Sequence, residues 1–193
     1  SLLSGIAFIH QELNLANDLA VYENLFLGRE LKTRAGLTDV KRMCEEARQV
    51  FDTMGIALDP MAMLWTLDAS FKQIVEIARA LHMRARIIIM DEPTTSLSQV
   101  EIDLIFDMMR RLRQQGVAFI FNSHKLQEVK TICDSYSVLR DGHLVAEGMV
   151  RDTTPAQMAR HMVGHDVRDE RLAPAHAGGK ELLRAEAIAS PGR

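Results

Sequence analysis

Two carboxylates, Asp91 and Glu92, stand directly after the apolar run of residues 87–90 in the stretch IIIMDEPTTSL. Taking a carboxylate out of water is costly unless it is paired or bound to a cation, so a doublet at the end of a strand-like segment asks for a partner. A hydrophobic strand ending in Asp-Glu suits nucleotide hydrolysis. The first carboxylate helps hold Mg2+, largely through its waters, and the second positions or deprotonates the attacking water. The same dipeptide after an apolar run also occurs as a helix cap, so the doublet needs company. His124 supplies some: it follows another apolar run, in GVAFIFNSHKLQEV, where an imidazole can contact a terminal phosphate. Gln11 holds the equivalent place after GIAFI.

These positions act together only if the chain brings three strand ends to one edge. GIAFI, residues 5–9, reads as a short strand ending at His10 and Gln11. LTDVKRMCEEARQVFDTMG reads as a helix, with Asp39 as N-cap, Gly55 as stop, and Val40, Met43, Ala47, Val50 and Met54 at helical spacing. FKQIVEIARALHM is a second helix whose apolar face is Ile74, Ile77, Ala78 and Leu81. RIIIMD follows as a buried strand, QVEIDLIFDMMRRLRQQG as a helix ending at Gly116, VAFIFNS as a strand and KLQEVKTIC as a helix. SYSVLRDGHLVAEG has the strand, Asp-Gly, strand pattern of a β-hairpin. Alternating strands and helices, with the strands nearly continuous in apolar residues, predict an α/β fold built on a parallel sheet with helices on both faces. Ligands in such sheets gather at the carboxyl ends of the strands. Gln11, Asp91 with Glu92, and Ser123 with His124 are therefore expected to share one edge and form one site.

Composition narrows the function classes. The 193 residues are 47% hydrophobic and 25% charged, as in a soluble globular protein, and suffice for one domain or part of something larger. A net charge of -3 gives no reason to expect a nucleic-acid partner, which needs clustered Lys and Arg. Arg110, Arg111 and Arg113 do cluster, but on a helical pattern that reads as its solvated face. Cys44 and Cys133 are far apart and read as free thiols of a reducing compartment. No apolar run approaches the ~20 residues that cross a bilayer. The opening SLLSGIAFIHQE lacks the features of a signal peptide and begins almost within a strand, which suggests a start inside a domain.

GIAFIHQELNLANDLAVYENLFLGRE, QIVEIARAL, IIIMDEPTTSL and GVAFIFNSHKLQEV with VLRDGHLV resemble, in that order, the nucleotide-binding subunits of ATP-binding cassette transporters. The wording is most similar to the tandem-cassette ATPases of bacterial monosaccharide importers of the ribose, xylose and galactose type, over residues 5–164. The resemblance implies a P-loop NTPase-like cassette with ATP and Mg2+ as cofactors and a helical subdomain over about residues 12–82 after the Q-loop. It implies that Gln11 is the Q-loop residue near Mg2+, Asp91 the Walker B carboxylate, Glu92 the catalytic base, His124 the switch histidine, and Ser96 part of the D-loop. The implied partners are membrane-spanning permease subunits, a second nucleotide-binding cassette and, indirectly, a periplasmic sugar-binding protein. The implied location is the cytoplasmic face of the bacterial inner membrane.

Two departures stand out. Phosphate cradling needs GxxxxGK[ST], and the one Gly-Lys here, in PAHAGGKE, has Pro174 where the first Gly belongs and Glu181 where Ser or Thr belongs. In the family the P-loop precedes the Q-loop, so the expectation is a piece of a longer chain. The signature helix also differs: where the family reads Leu-Ser-Gly-Gly-Gln or Leu-Ser-Val-Gly-Gln, this chain reads Leu67, Asp68, Ala69, Ser70, Phe71. Loss of one hydrogen bond to the opposite cassette's phosphate costs about 1.5–3 kcal/mol. A carboxylate about 4 Å from that phosphate adds repulsion on the order of 4 kcal/mol at an effective dielectric of about 20. Asp68 has a structural alternative as cap of the helix that follows.

The chain is thus read as a partial cassette over residues 1–164, a linker over 165–180 rich in charge, Ala, Gly and Pro, and the start of a second cassette or a tail over 181–193. Two other functions compete with a sugar-importer ATPase that is inactive without its P-loop. One is a non-catalytic cassette acting as scaffold or regulator; the other is a soluble cassette ATPase working on ribosomes or DNA, which the absence of a basic surface signal disfavours.

Overall fold

The computed structural model describes residues 5–163. The proposed linker at 165–180 and the segment 181–193 lie outside them. Three strands, β1 (Ile6–Ile9), β2 (Ile87–Asp91) and β3 (Ala118–Asn122), form a parallel sheet in that order. The register pairs Ile9 with Met90 and Asp91 with Asn122, so the carboxyl ends of all three strands finish side by side.

Alternation along the strands decides what the sheet buries. Ala7, Ile9, Ile88 and Met90 lie in the core, joined by the half-buried Phe119 and Phe121. Across the pleat, Phe8 is 48% and Ile120 is 54% exposed. Among the described residues, that second face is open.

The stretch between β1 and β2 is helix and loop: α1 (Val21–Phe26), α2 (Val40–Met54), a 3-10 turn (Leu64–Thr66) and α3 (Ala69–His82). Helix α2 starts where Asp39 accepts the Arg42 N–H at 3.2 Å. It stops at Gly55, which is left-handed at φ 72 and so close to Arg111 that a Cβ would lie 1.9 Å from the guanidinium Nη1. The left-handed backbone is what calls for glycine there, since the flexible end of Arg111 could swing aside. The buried stripe of α2 is Met43, Cys44, Ala47, Phe51 and Met54, with Val40 and Val50 at its half-buried borders.

Helix α3 is the central element, in contact with α1, α2, α4 and β1. It is consequently buried nearly all round, at Ser70, Gln73, Val75, Glu76 and Ala80 as well as at Ile74, Ile77 and Ala78. Phe26, Phe51, Leu64, Ile74, Ile77, Ile88, Met90 and Ile105 are fully buried, each contributing about 1.5–3 kcal/mol relative to exposure.

Helix α4 (Gln99–Gln114) crosses from β2 to β3, and α5 (Leu126–Ile132) follows β3. Arg110, Arg111 and Arg113 are exposed on α4, with Arg110 paired to Asp107 and Arg113 to Asp134. The hairpin of β4 (Ser135–Arg140) and β5 (His143–Met149) is a separate two-stranded sheet. Its turn has Asp141 and Gly142 at φ 51 and 77, the positive values a tight hairpin turn demands. Helix α6 (Pro155–Val163) completes a small second core of Val129, Val150 and Met158. A groove of about 960 Å³ separates β3 from β4, walled by Phe119, Phe121, Leu126, Val138 and Met158.

Candidate functional site

Glu92 is the first residue beyond β2, with its backbone in the left-handed region at φ 48. A non-glycine residue held there costs on the order of 1–3 kcal/mol, so its surroundings must fix it. Its N–H donates to the Asn122 carbonyl at 3.0 Å, one step past the last paired residues. Its Oε1 lies 2.7 Å from His124 Nδ1. A carboxylate can only accept, so Nδ1 carries the hydrogen and Nε2 remains free for a ligand. The Glu92 side chain is 22% exposed and that of His124 is 65% exposed, which leaves the pair open on one side. Asp91 turns to a different neighbour, its Oδ1 accepting from Asn122 Nδ2 at 2.6 Å. The doublet and the histidine thus come together at one sheet edge, with Asn122 bonded to the Asp91 carboxylate and to the Glu92 N–H.

Gln11 is exposed, two residues past the end of β1, at that same edge. The backbone just after it is gripped by α3: Glu76 Oε1 accepts the Asn14 N–H at 3.3 Å, and Arg79 Nη1 donates to the Asn14 carbonyl at 2.8 Å. Glu76 and Arg79 pair with each other at 3.1 Å. Glu76 is buried and its Oε2 has no partner among the described residues. Burial pushes its carboxyl up, against the pull of Arg79, the Asn14 amide and His10. The signal for this grip was a charged pair inside the apolar run QIVEIARAL, one Glu and one Arg three residues apart.

Asp68 is the N-cap of α3. Its Oδ1 accepts from the Phe71 N–H at 2.9 Å and from the Ser70 hydroxyl at 2.7 Å. The cap therefore uses the amide and the hydroxyl that a bound anion at this helix start would seek. Ser70 is buried beneath it, and Asp68 itself remains exposed. The start of α4 lies alongside. Glu101 accepts the Ser98 hydroxyl at 2.6 Å and the Ser98 amide at 2.8 Å, which hold its carboxyl low while the Asp68 charge opposes them. Ser96 is exposed in the turn that leads into α4.

Among the described residues no three His, Cys, Asp or Glu side chains cluster as a metal cage, and no helix is long and apolar enough to cross a membrane. A lone strand-end carboxylate suits Mg2+, which keeps several waters and takes one or two carboxylates plus substrate phosphates.

A family model described as ABC transporter matches residues 1–95. The ribose import ATP-binding protein RbsA of Chromobacterium violaceum is 43% identical over 187 residues, which is 96% of this chain and 37% of that protein. The chain is similar to the ABC transporter family. The galactose/methyl galactoside import ATP-binding protein MglA of Treponema denticola is 38% identical, again over 96% of this chain and 37% of its own length. The chain thus spans a little over a third of these curated relatives. Among solved structures, cbiO1 of Clostridium perfringens, part of the ABC transporter complex cbiONQ, superposes with a TM-score of 0.66 at 21% identity, covering 83% of this chain and 62% of that one. A nucleotide-free ATP-binding cassette from an ABC transporter gives a TM-score of 0.61 at 21% identity, over 85% and 66%. These two likenesses establish the cassette fold.

Proposed function

We propose that this chain is part of the ATP-hydrolysing subunit of a bacterial sugar importer, coupling ATP + water to ADP + phosphate with monosaccharide uptake. The observation that carries the proposal is the 2.7 Å contact between Glu92 and His124 beside Asp91 at one sheet edge. In this reading Glu92 accepts a proton from the attacking water as the bond between the γ-phosphorus and the bridging oxygen breaks, and His124, with Nδ1 held by Glu92, donates from a protonated Nε2 to a γ-phosphate oxygen. Asp91 and Gln11 would hold Mg2+, partly through water, and the ion would offset charge on the phosphates. The relatives named for ribose and galactose import support the sugar class, and through it peripheral attachment to inner-membrane permease subunits. Since relatives extend well beyond this chain, the P-loop and the second cassette are assigned to residues outside this sequence. The 193 residues alone contain no GxxxxGK[ST] and should bind ATP weakly at best.

Asp68 gives this cassette an asymmetric part in a head-to-tail sandwich. Glu92 and His124 serve its own nucleotide, while its capped α3 start faces the partner cassette's phosphate with a carboxylate already in the anion's place. That same cap favours the second reading, a scaffold cassette. Glu92→Gln in the complete protein separates the two: loss of the base should cut turnover by about 10²–10⁴, and unchanged turnover would favour the scaffold. Asp68→Ser, Ser70→Gly and Phe71→Gln together should raise turnover.

A further inference from the structure

We propose that Thr94, Lys125 and Glu128 form a positioning lock that keeps Glu92 and His124 in mutual register. The β2–β3 ladder ends at Asp91 and Asn122, and the Glu92 N–H bond to the Asn122 carbonyl anchors only the first residue of the loop after β2. Past Glu92, sheet pairing does not set how that loop sits against the loop after β3. Glu92 departs from β2 in a left-handed conformation that does not persist without support. His124 leads directly into α5, whose N-cap is Lys125.

One network bridges the two loops just behind the pair. Thr94 is 1% exposed; its hydroxyl donates to Glu128 Oε2 at 2.5 Å, and its carbonyl accepts from Lys125 Nζ at 2.7 Å. Lys125 and Glu128 pair at 3.3 Å, with side chains 32% and 13% exposed. The Lys125 N–H donates to the Ser123 hydroxyl at 3.0 Å, which fixes the far side of His124. Both partners of Thr94 thus belong to the segment carrying His124, and Thr94 lies two residues from Glu92. Charge-assisted hydrogen bonds between half-buried groups are strong enough to hold such a turn. Among the described residues none of the three side chains hydrogen-bonds or pairs with the Glu92 or His124 side chain, so they act through the backbone as positioning residues.

The inference rests on the ATPase reading for its catalytic consequence, but the geometric claim can be tested without it. In the 193-residue chain, Thr94→Val should speed amide hydrogen exchange in the Glu92 to Leu97 loop by about tenfold, with strand β2 unchanged. Thr94→Ser, which keeps the hydroxyl, should behave as wild type. Lys125→Met provides an independent route and should loosen the same loop. In the complete protein, Thr94→Val should lower kcat by about tenfold with KM for ATP nearly constant, and Thr94→Ser should restore kcat. Unchanged loop exchange in both Thr94→Val and Lys125→Met would overturn the lock. So would a kcat loss that Thr94→Ser does not rescue. A wild-type complete protein that fails to hydrolyse ATP would refute the ATPase reading instead, leaving the exchange measurement to decide the lock.

Discussion

Asp68 combines two effects that a single substitution can separate. As N-cap it satisfies the Phe71 amide and orients the Ser70 hydroxyl; as a charge it opposes any phosphate brought to the start of α3. Serine caps about as well as aspartate and carries no charge. In urea unfolding of this chain, Asp68→Ala should cost about 1 kcal/mol, while Asp68→Ser should stay within a few tenths. Equal losses for the two variants would remove the capping role. At this scale the convergence of Asp91, Glu92 and His124 on one sheet edge was legible because the signal is local: each sits one to three residues past an apolar run. Thr94 and Glu128 were not, since each depends on a partner 34 residues away; Glu76 showed as a charge inside an apolar run, but its partner 62 residues away did not.

Among the elements, α2 and α3 show where periodicity informs and where it fails. Both ends of α2 were legible from Asp39 and Gly55, whose chemistry the caps require. Its buried stripe instead turns toward Cys44 and Phe51, because tertiary packing against α1, α3 and α4 decides which border residues go inside. Helix α3 hides its pattern because neighbours cover it on several sides, and Glu76 goes inside with the rest. Helices α1 and α6 went unassigned. α1 is only six residues, too few for a helical repeat to show, and rests on buried Asn24, which bonds the Ala16 and Ala20 carbonyls at 3.1 Å each. Burial raises the Glu76 carboxyl above the ordinary 4.5, so the folded state favours its protonated form more than the unfolded chain does. The stability this gives is full below that value and lost as pH rises through the folded pKa. The urea midpoint of wild type should therefore decline with rising pH above about 4.5 more steeply than that of Glu76→Gln. Parallel pH profiles would contradict that account of α3.

For the whole molecule, the decisive feature is that three strand tips end at one level while their helices pack on the opposite flank of the pleat from Phe8 and Ile120. That face and the apolar groove between β3 and β4 are uncovered among the described residues, and the chain covers 62% and 66% of the two solved cassettes. A parallel sheet was legible from the rhythm of apolar strands and helices; the separation of the hairpin into a second sheet was not, because strand order is set by long-range contacts. The account's central claim is that Glu92 and His124 work as one unit on one phosphate. A double-mutant cycle of ATP turnover in the complete protein, with Glu92→Gln, His124→Ala and the combination, tests it most directly. If the pair acts as a unit, either change alone removes about 10²-fold or more and the double variant is scarcely worse than the weaker single. Losses that simply multiply would mean the two side chains act independently, and the shared site would be wrong.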